Sequence, residues 1–543
     1  RLEHRLQYLD DAQTHTLPER AEDQALVAAA MGYADFAALM AELDRHRGWV
    51  SHHFDAVFAD RNGSSHALDR LWSGSADTET CAAGLERLDY ADPSAAAQRL
   101  ADLRAGGRYQ QMPAQVRARF DPLVPRLIEA CAATPNPDVT LTRSLTLLDA
   151  ISRRAAYLAL LQQYPHALRK VADLMSASSW AADYLTRHPL LLDDLLDPRT
   201  LETAPDWTAF HAQLAASLDA VEPDVERQMD LMREAHHSQV FRQLTQDLAG
   251  LLTVERLADH LSKLADIMIE LTIATVWRKL RQRHRESPRF AVISYGKLGG
   301  KELGYASDLD IVFLYEDDDP NAQETYSRLA QRMNTWLSSA TPAGTLFETD
   351  LRLRPNGDSG LLVSSLEAFR KYQMESAWVW EHQALTRARF SAGDPQIGAA
   401  FEAVRIEVLR QRRDLSKLRD EVLAMRQKMV DTHGNKSDLF DLKHDRGGLI
   451  DVEFIVQFLV LGHSHDHERL TGNLGNIALL GIAGEIGLIP VDLAAKVQVA
   501  YREYRRLQHG LRLNNANRAR VAPKSIAEHI DAVRALWRTV LGD

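Results

Sequence analysis

Residues 291–316 read AVISYGKLGGKELGYASDLDIVFLYE, and the remainder of the chain is best understood outward from this stretch. FAVISY (290–295) and LDIVFLYE (309–316) are short, β-branched and aromatic, bounded by glycines and by the acidic turn EDDDPN, which predicts two strands. The glycine-rich loop between them leads into Asp308-Leu309-Asp310. Along a strand, residues i and i+2 face one side, so both carboxylates converge while Leu309 and Ile311 turn to the other. Like charges this close resist joint ionisation unless a cation joins them. Hard oxygen donors of this kind suit Mg²⁺, which commonly binds one or two carboxylates together with substrate phosphates.

Downstream, Tyr326, Leu329, Met333, Trp336 and Leu337 share one side of a predicted helix over 321–338. TLFETDLRLRP (345–355) predicts a third strand, closed by Pro-Asn-Gly-Asp. Its alternation is strict: Glu348, Asp350, Arg352 and Arg354 on one face, Phe347, Thr349, Leu351 and Leu353 on the other. Alone, an acid beside two guanidinium groups reads first as an ion-pair lattice on a solvated strand. Beside the Asp308/Asp310 pair, Asp350 becomes a third candidate ligand, and arginine offers planar forks for phosphate oxygens. The glycine loop is not a Walker A motif, because three residues separate Gly296 from Gly300 and Glu302 follows Lys301. Gly-x-Gly-x-x-Gly is absent too. A Gly-Gly pair followed by Asp-x-Asp is the other phosphate-handling pattern, in which glycines let the backbone approach a triphosphate whose metal the carboxylates hold.

On either side of this segment the pattern is helical. Residues 50–285 read as helix after helix, as in ALRKVADLMSASSWAADYLTRHPLLLDDLLDP (167–198), and the helical period returns from Ser364 onward. The fold class expected is therefore mostly α with an embedded small mixed β-sheet, flanked by helical domains. Among 543 residues, 64 are basic and 75 acidic, a net charge of −11 that disfavours a nucleic-acid partner. Two cysteines, Cys81 and Cys131, cannot make a disulfide framework and fit a reducing compartment. The most apolar run, Phe454 to Leu461, is broken by Gln457 and falls short of the ~20 residues a membrane span needs. With no signal peptide at the start, the reading is a cytoplasmic protein without a membrane partner. The chain opens at Arg1 in a helical pattern, and LEHRLQYLDDAQTHTLP (2–18) echoes LQHGLRLNNANRARVAP (507–523). Two similar amphipathic helices would produce such an echo; so would the tail of an upstream module whose counterpart lies near residue 543.

Four strings go further: YGKLGGKELGYASDLDIVFLY (295–315), ETDLRLRPNGDSGLLV (348–363), AWVWEHQALTRARF (377–390) and GGLIDVEFIVQFLVL (447–461). With the RHPLLLDDLL helix end (187–196), they resemble the glutamine synthetase adenylyltransferase/adenylyl-removing family, within the nucleotidyltransferase superfamily of DNA polymerase β. The resemblance implies an α+β nucleotidyltransferase fold and two homologous modules, one removing AMP by phosphorolysis and one adding it from ATP. GYASDLD is more similar to the transferase copy. It implies Asp308, Asp310 and Asp350 as catalytic and metal carboxylates for Mg²⁺ (or Mn²⁺), and Gly299, Gly300 and Ser307 along the triphosphate; the strand alternation adds Arg352 and Arg354 as candidate phosphate contacts. Asp350 would assist deprotonation of the attacking tyrosine hydroxyl. Implied partners are glutamine synthetase as protein substrate, with the PII signal protein and glutamine as regulators. The implied divisions are 1–45, the tail of an upstream module; 46–285, a helical region; 286–390, the catalytic core; and 391–543, a C-terminal helical bundle. Rival readings are the adenylyl-removing module, a non-enzymatic module docking PII and glutamine synthetase, and a nucleotidyltransferase for RNA ends.

Other features read more simply. His463, His465 and His467 lie in a polar stretch that predicts a solvated loop rather than a zinc site. His444-Asp445 and His465-Asp466 lack a spaced partner set. Asp451 and Glu453 open a helix, where acids are expected from the macrodipole, and Glu453 and Gln457 share a face. Trp378, Trp380 and LADIMIELTIATVW (264–277) predict core.

Overall fold

The computed structural model describes residues 6, 17–18, 20–58, 68–73, 76–196 and 203–542. The chain divides into two compact units, Arg1–Ala67 and Leu68–Asp543. In the first, α1 (Ala21–Met31) ends at Gly32, whose φ of 85° is the left-handed conformation that closes a helix, and α2 (Phe36–Phe58) follows. Leu6, Val27, Ala28 and Leu39 form its small core. Almost all of the 2–18 echo segment lies outside the described residues.

The second unit begins as a succession of helices with polar caps. Asp77, Asp92, Ser178, Asp206, Asp224 and Thr253 each accept a first-turn backbone N–H, satisfying donors that a helix start leaves open. Ser178 also splits the 167–198 stretch into two helices, Pro165–Ala177 and Ser179–Arg187. The long α3 (Val254–Arg278) buries the predicted 264–277 run and leads to the sheet. Among the described residues no single helix is long and apolar enough to cross a membrane.

The sheet contains β1 (Phe290–Ser294), β2 (Leu309–Tyr315), β3 (Thr349–Asp350), β4 (Val363–Ser365) and β5 (Arg389–Gly393). β1 pairs antiparallel with β2 and β5; the other edge of β2 is shared by β3 at its start and β4 at its end, both parallel. The mixed sheet was expected; β4 and β5 were not, since both lie where the sequence reads as helical. Alternation along β2 sorts its residues by face. Leu309, Ile311 and Phe313 join one large core with α3 and α4 (Ala322–Ser338). Val312 and Leu314 join Ile293, Phe369, Leu385 and Phe401 on the other side. Asp310 continues that second face toward the start of the strand. Asp266 on α3 takes two hydrogen bonds of 2.9 Å from Arg389, and Glu270 accepts the Gly393 N–H at 2.8 Å, so α3 clamps β5.

Two expectations fail. The predicted 345–355 strand is cut to Thr349–Asp350, because the Asp350 carboxylate accepts the Arg352 backbone N–H at 2.9 Å and turns the chain. Leu351 and Leu353 consequently reach different cores instead of one shared face. Trp378 and Trp380 are not core either, being 70% and 39% exposed. Toward the C-terminus, α5 (Leu449–His463) and α6 (Val491–Leu513) pack with neighbouring helices around a separate apolar core that includes Ile455, Leu480, Val497 and Val533.

Candidate active site

Parallel pairing of β2 with β3 sets Asp310 directly beside Asp350. Paired residues of neighbouring strands project to the same face, and Asp308, two residues before Asp310, joins them. Oxygens of Asp308, Asp310 and Asp350 thereby lie within 4.8 Å of one another. Among the described residues this is the one cluster of three or more His, Cys, Asp or Glu side chains close enough to share an ion.

The three acids differ electrostatically. Burial, reinforced by the Asp308 and Asp350 charges, pushes the Asp310 carboxyl up to about 6. Asp350 is held below its ordinary value, chiefly by hydrogen bonds from Arg352, whose Nε reaches both carboxylate oxygens at 3.0 Å. The set fits a divalent cation: three hard oxygen donors converge, and one is hard to ionise without a countercharge.

The glycine that shapes this site is Gly296. Its φ is +54°, and a Cβ there would sit 2.0 Å from Asp310 Oδ2, so only glycine admits the carboxylate. Sequence reasoning passed over it in favour of Gly299 and Gly300. Those two abut Arg387 instead: a Cβ on Gly299 would meet the Arg387 carbonyl at 2.1 Å, and one on Gly300 its guanidinium at 2.7 Å. Ser307 Oγ accepts the Gly304 N–H at 3.1 Å, closing the loop into β2. Arg354 is turned into its own loop, donating to the Leu351, Asp358 and Gly360 carbonyls. The structure thus unites the three predicted acids and does not set the two predicted arginines as open forks.

Loop residues Leu303–Ser307 wall an open cavity of about 150 Å³, bounded on other sides by Trp180 and by α3, α5 and α6. Lys297, Lys443, Arg505 and Arg512 line it, with Glu302 and Glu453. Both acids are already engaged. Glu302 binds Arg387 and Arg505 and accepts the Tyr501 hydroxyl; Glu453 accepts Arg387 Nη1 at 3.0 Å. Burial raises the Glu302 carboxyl, yet Arg387 and Arg505 overcome it and hold the group low. No periodic signal marks Lys297, Lys443 or Arg512; a lysine one residue after the strand-end glycine was the available hint.

The weaker sequence candidates have structural partners. Asp451 is buried against Arg426 at 2.5 Å and accepts the Gly447 N–H at 2.6 Å. Gln457 Oε1 accepts Gln383 Nε2 at 2.9 Å. His465 lies between the Arg410 carbonyl and the Arg412 guanidinium, at 3.0 and 2.7 Å.

A family model described as glutamate-ammonia ligase adenylyltransferase matches residues 168–404, which include the sheet and all three acids. A second, described as GlnD PII-uridylyltransferase, matches residues 1–58 and again 420–532. Three proteins named bifunctional glutamine synthetase adenylyltransferase/adenylyl-removing enzyme are similar throughout. The one from Aromatoleum aromaticum is 65% identical over 100% of this chain and 58% of its own length. Those from Chromobacterium violaceum and Ralstonia nicotianae are 54% and 52% identical over 99% and 100% of this chain, and 60% and 58% of their own lengths. The chain therefore spans about three-fifths of the relatives it matches. Fold and site define a helical chain whose small mixed sheet presents a cluster of three acids close enough to share an ion. Over its whole length the chain is similar to the bifunctional glutamine synthetase adenylyltransferase/adenylyl-removing enzymes.

Proposed function

We propose that this chain transfers AMP from ATP to a tyrosine hydroxyl of glutamine synthetase, releasing pyrophosphate. The observation that carries the reading is the convergence of Asp308, Asp310 and Asp350 in a chain 65% identical to a relative bearing that name. The sheet is read as a nucleotidyltransferase core. Asp308, Asp310 and Asp350 would hold Mg²⁺ or Mn²⁺, which supplies Lewis-acid stabilisation of charge on the phosphoryl oxygens. The hydroxyl oxygen attacks the α-phosphorus in line with the departing pyrophosphate, and the protein contributes position and electrostatics. Asp350 takes the hydroxyl proton once Arg352, an exposed side chain, releases it.

In this reading 286–390 is the catalytic core, with 46–285 and 391–543 its helical flanks. Residues 1–45 belong to an upstream module, supported by the one family model that matches both 1–58 and 420–532. The reaction takes place in the cytoplasm under control of PII and glutamine. The test is incubation with α-labelled ATP, Mg²⁺ and glutamine synthetase: label should appear on the synthetase. Phosphate-dependent release of ADP from adenylylated synthetase, with no forward transfer, would assign the removing reaction instead.

A further inference from the structure

We infer that Lys297, Lys443 and Arg512 form the seat for a nucleotide's polyphosphate tail, in the cavity between the glycine loop and the C-terminal helices. This inference rests on the nucleotidyl-transfer reading of the three acids and assigns the substrate contacts that the predicted arginines leave unfilled.

Three observations support it. The cavity adjoins the acids, since its wall Leu303–Ser307 runs straight into Asp308. Its charge is unbalanced: Glu302 and Glu453 are engaged by Arg387, whereas among the described residues the Lys297 and Lys443 ammonium groups have no hydrogen-bond or ion-pair partner. Arg512 donates only to the Ala306 carbonyl, at 3.1 Å, on that same wall. Finally, the cations sense each other. Burial, then Arg512 and Lys443, lower the Lys297 pKa, while Asp308 and Asp310 raise it. Lys297 therefore feels both the acids and the other two cations of the cavity lining. Three positive charges lining one cavity, beside three converging negative ones, suit a ligand that is anionic along a tail and metal-bridged at one end. A triphosphate has that form: the α-phosphate at the acids, the following phosphates among the cations.

Binding, not turnover, tests the inference. Calorimetric titrations of the whole chain with Mg²⁺ would use ATP, adenosine, inorganic tripolyphosphate and inorganic phosphate. The wild type should bind ATP and tripolyphosphate, and adenosine far more weakly. Lys443→Ala and Arg512→Ala, both at exposed positions, should each weaken ATP and tripolyphosphate by on the order of tenfold, the loss of one charged hydrogen bond. Lys496→Ala, which removes an exposed charge of α6 outside the cavity lining, should change neither. Unaltered tripolyphosphate binding in both variants would overturn the assignment. So would preferential wild-type binding of inorganic phosphate, which would make the cavity a single-phosphate site. Normal tripolyphosphate binding with no AMP transfer would instead refute the proposed reaction and leave the polyphosphate seat standing.

Discussion

Replacing Asp310 with Asn should stabilise the metal-free protein at alkaline pH while abolishing transfer. Asp310 is half-buried beside two other carboxylates, and its carboxyl rises from 3.8 to about 6. In the unfolded chain the group returns to 3.8, so the folded state binds its proton more tightly. The sign follows: no penalty exists below 3.8, where both states are protonated, and the full penalty is present once pH exceeds about 6. About two pKa units at ~1.4 kcal/mol each set a ceiling of roughly 3 kcal/mol. The amide of Asn is itself a polar group to bury, so the substitution recovers about 1–2 kcal/mol of that ceiling. Asn keeps the shape and removes the charge, so packing against Gly296 is preserved. Denaturation midpoints measured in chelator should place Asp310→Asn above wild type at pH 8, with the gap closing toward pH 4. Adding Mg²⁺ should raise the wild type and leave the variant unmoved, and AMP transfer should fall by orders of magnitude. A variant less stable than wild type at pH 8, or a gain that persists at pH 4, would refute the electrostatic account; near-normal turnover would remove Asp310 from the site.

Gly296→Ala should fold, yet lose most transfer activity, because the new methyl displaces the Asp310 carboxylate; parallel activity and melting measurements separate this from unfolding. Arg352→Ala releases Asp350 from the guanidinium that holds its carboxyl low. The acid limb of the rate–pH profile should then move to higher pH, and an unmoved limb would remove Asp350 as proton acceptor. Arg426→Ala leaves Asp451 buried and without its cation, so a loss of about 3–5 kcal/mol is expected from chemical denaturation. Asn at both 308 and 310 should transfer scarcely more slowly than either single variant, since groups acting as one unit are not additive.

The residues that sequence reading located share one property: their signals are local. β1 and β2 appear within a residue of expectation because a run of β-branched and aromatic residues between glycines has no helical alternative. Asp308 and Asp310 share a face by strand geometry alone. The 345–355 segment misled because a side chain capturing a backbone N–H leaves no periodic trace, and the turn at Arg352 follows from that capture. The exposed Trp378 and Trp380 misled because composition says that an indole gains from burial, while only the neighbours folded around it decide whether burial occurs.

The chain's own order of residues thus determined the helical body, the two central strands, the carboxylate pair and, through its longer strings, the family resemblance. Tertiary structure alone decided that Asp350 stands in register with Asp310, that Gly296 is the glycine admitting the carboxylate, and that Lys297, Lys443 and Arg512 share one cavity. The physical reason is one of range. Propensity, alternation and capping act over a few neighbouring residues, whereas register and cavity lining join distant segments whose positions are set by packing two apolar cores against the faces of one sheet.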